Sequence, residues 1–169
     1  SAKYISYLLT PATVCLAVPL YEQLELLKKN KVAVVCGILS GTLASLTGIF
    51  VLCMLFGFNH QQYVTMLPKS ITTAIGIGIS EELGGIVTIT VAVIIITGIL
   101  GNVIADTVFH IFKIKNPLAK GLALGTASHA IGTARAIEMG PVEGAMSSLA
   151  VAVAGLLTVV FVSGFAQLI

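Results

Sequence analysis

Two short polar stretches in an otherwise apolar chain hold the residues whose types could do chemistry. In the first, Lys69, Ser70, Thr72 and Thr73 follow Pro68 at once. In the second, Thr126, Ser128, His129, Gly132 and Thr133 lead into Arg135 and Glu138. An ammonium beside hydroxyls supplies hydrogen-bond donors and one positive charge, which suits a small carboxylate. Pro68 lacks an N–H and fixes its own φ, so it suits the first turn of a half-helix. The free N–H groups of such a half-helix, just where Thr72 and Thr73 lie, would add to the same seat. His129 can hydrogen-bond a carboxylate and also change charge near neutral pH, as proton coupling requires. Arg135 and Glu138 stand three apart and can pair on one helical face. The substrate set is therefore Lys69, Ser70, Thr72, Thr73, Thr126, Ser128, His129, Gly132, Thr133 and Arg135. His129, Glu138 and Asp106 are the candidate coupling groups. The bland alternatives are that Lys69 snorkels to the headgroups, the hydroxyls cap helices, and Arg135 with Glu138 marks a membrane exit.

The two stretches are near-copies. With an offset of 56 positions, Ala74-Ile75-Gly76 falls on Ala130-Ile131-Gly132 and Glu82-Leu83-Gly84 on Glu138-Met139-Gly140. Ser70 falls on Thr126, Thr72 on Ser128 and Thr73 on His129. Duplicated, polar, helix-breaking segments between apolar spans are how many secondary transporters build a site near the bilayer midplane.

The elements that must position these residues are membrane spans. The chain of 169 residues is 57% hydrophobic and 9% charged, with a mean hydropathy of +1.05. Uncharged stretches at 32–58, 83–105 and 144–169 each exceed the ~20 residues that cross a bilayer. A fourth stretch, 4–21, holds Pro11 and Pro19 and is marginal. Lys28, Lys29 and Lys31 form one cationic cluster, and Lys113, Lys115 and Lys120 another; the positive-inside rule puts both in the cytoplasm. Two full spans, about 32–57 and 86–112, already separate them. By parity, 64–85 must dip in from outside and return, and 121–140 must do so from the cytoplasm, which is an inverted pair. The last span, 144–169, then ends outside. The expected fold is an all-α integral membrane protein, a helical bundle with inverted repeats (about 64–112 and 121–169) containing re-entrant or broken helices. The chain reads as one transmembrane domain over 1–169, a piece of a longer protein with earlier helices before it.

Other features are quieter. Gly37, Gly41 and Ser45 recur every fourth residue, as do Gly144, Ser148 and Ala152, and read as helix-packing faces without chemistry. They support a homo-oligomer. Gly98, Asn102, Asp106 and His110 form a polar stripe toward the bundle interior, with Asp106 and His110 as a pair at the water boundary. Cys15, Cys36 and Cys53 read as small core residues. No cofactor, metal-ligand spacing, nucleophile triad or phosphate loop is present, so an enzyme is not expected. No basic run exists to follow a nucleic-acid backbone.

LTPATVCLAVPLY, PKSITTAIGIGISEELGG and KGLALGTASHAIGTARAIEMGPVEGAMSSLAV resemble the LrgB/CidB family of bacterial inner-membrane proteins. The C-terminal half of the plastid glycolate/glycerate translocator is similar. The resemblance covers essentially the whole chain and implies site roles for Thr72, Thr73, His129, Gly132 and Glu138. It implies two functions. One is secondary transport of small monocarboxylates such as glycolate, glycerate, pyruvate or lactate. The other is holin/antiholin-like modulation of murein hydrolase activity and cell lysis, with a small LrgA/CidA-type membrane partner. A bacterial plasma membrane is the implied location.

Overall fold

A computed structural model describes residues 21–169, and those residues are helices joined by turns and short irregular segments, with no strand among them. In order they form α1 (Leu24–Lys29), α2 (Lys31–Leu55), α3 (His60–Met66), α4 (Thr73–Glu82), α5 (Val87–Ile111), α6 (Pro117–Met139) and α7 (Pro141–Ala166). The all-α architecture is as expected. Helices α2, α5 and α7 run 25, 25 and 26 residues with mean hydropathies of 2.1, 2.4 and 2.4, long and apolar enough to cross a membrane. They fall where the uncharged stretches placed them. The marginal stretch 4–21 lies outside the described residues except for Tyr21, as does Cys15. Of the other two cysteines, Cys53 is in the core, whereas Cys36 is exposed on α2.

Between α2 and α5 the chain makes a hairpin. Asn59 starts α3 with a reciprocal cap: its side chain accepts from the Gln62 N–H at 2.9 Å, and Gln62 Oε1 accepts from the Asn59 N–H at 3.0 Å. This start lies at the end of the bundle where α7 finishes, since Tyr63 donates to the Phe165 carbonyl at 2.9 Å. Several residues further on, Ser45 in the middle of α2 donates to Ser70 at 3.0 Å. The chain turns through 67–72 and α4 runs back. Thr90, near the start of α5, lies 2.9 Å from the Thr65 carbonyl oxygen and 2.8 Å from Ser80 Oγ. The Ile86 N–H donates to Thr65 Oγ1 at 2.9 Å. Both arms thus close at the end of the bundle where they began.

One local expectation is corrected. Pro68 does not open the half-helix; α4 starts at Thr73 with Thr72 as its N-cap, and no side-chain cap bond forms there. Because the Asn59 cap nucleates α3 upstream, Pro68 falls just past the end of that helix instead. A residue without an N–H is common in that place because it cannot continue the helix.

Helix α6 is two arms. At His129 the backbone adopts φ 42° and ψ −137°, outside the helical region, and the chain reverses. On the way in, Lys120 stands over the Phe109 ring at 5.8 Å, Leu124 packs with Ala105 and Phe109, and Ser128 meets Gly101. At the tip His129 meets Gly98. On the way out Asn102 donates to the Ile131 carbonyl at 3.1 Å, Arg135 pairs with Asp106, and Ala136 and Met139 rejoin the Ala105–Phe109 cluster. The arms 117–128 and 130–139 therefore lie side by side along the second half of α5.

Where the arms cross, glycine is needed for space. A Cβ on Gly132 would lie 2.7 Å from the Leu124 carbonyl oxygen. In the first hairpin the matching pair is Gly76 against Pro68, where a Cβ would lie 3.6 Å from Pro68 Cβ and run into the Ile94 side chain. Both partners stand at the same 56-residue offset as the sequence repeat.

Candidate functional site

A cleft of about 780 Å³ runs between α2 and the first arm of α6. Asn30 and Asn116 line the end beside the two lysine clusters, and Ser45, Lys69, Ser70 and Thr126 line the inner end. Gly37 and Gly41 form part of its α2 wall. They also seat α6: a Cβ on Gly37 would lie 3.2 Å from Leu122 Cδ1, and one on Gly41 would lie 3.0 Å from Thr126 Oγ1. The small-residue ladder thus packs against α6 as expected, and Ser45 in addition lines the cleft.

At the inner end, Lys69 Nζ donates to Ser70 Oγ at 2.9 Å and lies 3.5 Å from Ser45 Oγ. The ion pairs among the described residues belong to Arg135 with Asp106 and Glu138, and residues 1–20 contain no Asp or Glu. No carboxylate of this chain therefore neutralises the ammonium. Beyond the tip, toward the α3 end, lies an apolar seal that includes Leu46, Ile49, Tyr63, Leu67 and Ile71.

The other residues singled out from the sequence are distributed differently. Lys69, Ser70 and Thr126 share the cleft, whereas Thr72 and Thr73 are half-buried at the start of α4 and do not line it. His129 is 4% exposed, and its Nε2 lies 3.0 Å from the Ile94 carbonyl oxygen. The ring rests on Gly98, where a Cβ would lie 2.8 Å from Cε1. Ser128 is buried against Gly101, and Thr133 Oγ1 bonds both the His129 carbonyl at 3.0 Å and Ser147 Oγ at 2.8 Å. Thr72, Thr73 and His129 do not line this cleft and share no hydrogen bond among the described residues, so the geometry does not bring them together as their repeat positions suggested. Their positions in the repeat align, but the first turn is six residues long and the second reverses at one residue, which separates them.

Arg135 and Glu138 pair as their spacing predicts, at 2.7 Å. Asp106 joins that pair instead of His110, because the outgoing arm brings the guanidinium to it. This cluster is exposed, with side-chain exposures of 32%, 63% and 65% for Arg135, Asp106 and Glu138. It stands apart from the cleft. The polar stripe on α5 faces α6 through Gly98, Asn102 and Asp106, and His110 is exposed. Among the described residues, no group of three or more His, Cys, Asp or Glu is placed to hold a metal ion.

Residues 1–168 match the family model described as LrgB-like family. The chain belongs to the LrgB-like family. Among its relatives is the antiholin-like protein LrgB of Bacillus cereus (strain B4264), 42% identical over 163 residues that cover 96% of this chain and 71% of that protein. The antiholin-like protein LrgB of Bacillus anthracis (strain A0248) gives the same figures. No solved structure matches. The LrgB relatives carry a name that stands with the second of the two functions implied by the sequence. The family match and the three apolar spans make this LrgB-like chain a membrane protein.

Proposed function

We propose that this chain is an antiholin-like protein of the bacterial plasma membrane whose working activity is the movement of small monocarboxylates such as glycolate, pyruvate or lactate. The observation that carries the proposal is Lys69, an ammonium beside the hydroxyls at the inner end of a largely apolar cleft, with no carboxylate to pair with. Its depth matters. Lys69 bonds Ser70, which bonds Ser45, the fifteenth of 25 residues in α2. At ~1.5 Å per residue, that is roughly 15 Å from the α3 end of the bundle. A lysine stem of some 6 Å cannot snorkel that distance to the outer headgroups. An intramembrane charge is costly enough that a partner is expected, and here an anionic ligand supplies it.

The hairpins support the same reading. Segments 60–86 and 117–140 each leave and return at one end, and the ends are opposite, so we take them as inverted re-entrant hairpins. Irregular backbone at that depth is tolerated where it is buried in protein or lines a cavity. The relatives' name favours a second reading, in which control of lysis, with a small LrgA-type membrane partner, is the primary activity. Proteoliposomes containing purified protein should take up labelled glycolate, pyruvate or lactate, and Lys69→Met should reduce uptake at least tenfold. If Lys69→Met still controls lysis in cells while uptake is lost, the two activities are separate. If the wild-type protein moves none of these acids, the transport reading fails.

A further inference from the structure

Behind the inner end of the cleft lies a second, very small space of about 10 Å³. It is walled by the hydroxyl residues Thr42, Ser45, Ser70, Thr126 and Thr158 and closed by apolar side chains. Ser45, Ser70 and Thr126 line both spaces and form the partition between them. The crevice has room for about one water-sized atom.

Thr42 is the anomaly in its wall. It is 3% exposed, and its Oγ1 is the one buried side-chain polar atom among the described residues that lacks a hydrogen-bond partner. Its neighbours in the wall are satisfied. Thr126 Oγ1 donates to the Leu122 carbonyl at 2.8 Å, and Thr158 Oγ1 to the Ala154 carbonyl at 2.7 Å, each within its own helix. A helical threonine has that option by default, yet Thr42 leaves it unused. Buried hydroxyls without a partner are rare enough in native proteins that each points to a specific cause.

We infer that Thr42 is a binding residue for the monocarboxylate, the donor that completes the seat begun by Lys69, and this inference rests on the transport reading above. The partition is made of groups that would themselves rather bond an anion. Ser45 donates to Ser70, and Lys69 donates to the same Ser70 oxygen, so donors there converge on a weak acceptor. A carboxylate arriving from the cleft is a stronger acceptor than a hydroxyl. When Lys69 and Ser45 turn to it, the Ser45–Ser70 bond opens and the partition parts. One carboxylate oxygen then reaches the crevice, whose volume suits one atom, and Thr42 Oγ–H donates to it. The second oxygen stays with Lys69. The crevice admits a bare carboxylate oxygen and little more, which selects a carboxylate head whose bulk remains in the wide cleft.

The test is equilibrium binding of labelled pyruvate to the purified, detergent-solubilised protein, with Thr42→Val and Thr42→Ser as the variants. Valine keeps the shape and removes the donor; serine keeps the donor. Thr42→Val should weaken binding about tenfold, equivalent to ~1.4 kcal/mol, and Thr42→Ser should bind within about threefold of wild type. Ligand-free Thr42→Val should also be no less stable than wild type, because the hydroxyl it removes has no partner. Unchanged binding by Thr42→Val overturns the inference, as does equal weakening by both variants, which would signal packing. A loss of ligand-free stability in Thr42→Val overturns it too, by showing that Thr42 serves a structural water. If wild type binds no monocarboxylate, the transport reading itself is what has failed.

Discussion

The chain reversal at His129 can be tested by comparing glycine with alanine at that single position. His129 holds φ 42°, where an L-residue's Cβ is strained and glycine is not. Such sparsely populated backbone costs on the order of 1–3 kcal/mol. Both His129→Gly and His129→Ala lose the same contacts, the bond to the Ile94 carbonyl and the packing on Gly98. They differ in one methyl group. Alanine keeps the strain, while glycine removes it at an entropic cost of roughly 0.5–1 kcal/mol. His129→Gly should therefore be at least as stable as His129→Ala, with an advantage of up to about 2.5 kcal/mol.

The sign is what discriminates. Residues 117–139 would be long enough, at ~1.5 Å per residue, to cross the membrane as one straight helix. In a straight helix alanine is favoured over glycine by ~0.8–1.0 kcal/mol. Equilibrium unfolding of the two purified variants in mixed detergent micelles measures the difference directly. If His129→Ala exceeds His129→Gly in stability, the chain does not reverse at 129, and the second hairpin and the inverted arrangement fall together. The same geometry moves His129 away from direct substrate contact. Any transport defect in its variants should follow their stability, without flattening the pH profile.

Two further predictions concern the scaffold. In a cysteine-free background, single cysteines at 61 and 84 should label from outside the cell and those at 115 and 140 only after permeabilisation; labelling of 61 and 84 from opposite sides would refute the first hairpin. Gly125→Ala should destabilise the protein by ~1–3 kcal/mol, because the new Cβ runs into the Ser147 carbonyl oxygen on the α7 backbone and lies 2.7 Å from Ala150 Cβ. Gly48→Ala, which meets nothing within 4 Å, is its control and should be neutral or stabilising in the same unfolding assay.

The spans were legible because an uninterrupted apolar run of bilayer length is too long and too uncharged for an ordinary buried helix, and α2, α5 and α7 lie where those runs are. The pairing of Arg135 with Glu138 was legible because i,i+3 spacing on a helix is a local property. What could not be read is what depends on where two distant segments touch. Ser45 looked like one more small residue in a ladder until the tip of the first hairpin met it 25 positions further along the chain. Thr42 gives no signal in the sequence, since a threonine in an apolar helix ordinarily bonds its own backbone. Pro68 misled because proline serves equally at the start of one helix and after the end of another, and the upstream Asn59 cap decided between them. The exact place of the turn within 121–140 could not be read, because it falls on His129, and although histidine visits positive φ more often than most residues, such residues are still uncommon enough that one histidine marks no turn.

The distribution of polarity bears on how transport and lysis control relate. A pore or regulatory assembly built through the faces of several copies needs polar groups on the outside of the bundle, within the bilayer. Here the outer faces of the long helices carry Ile95, Ile96, Ile99, Leu100 and Val103 on α5 and Leu156 and Val160 on α7, all exposed and all apolar. The charged groups on that surface, Asp106, Arg135 and Glu138, pair with one another and leave one net negative charge, toward the end of α5 that leads into the lysine cluster. By contrast, Ser45, Lys69, Ser70 and Thr126 face inward, onto a cleft that ends at an apolar seal. Placing a cation and hydroxyls there gives no advantage to a lipid-facing or partner-facing surface, since the cost of burying them is returned only by a ligand that enters. On the transport reading proposed above, an effect on lysis would follow from the ligand held at the inner site rather than from a polar outer face.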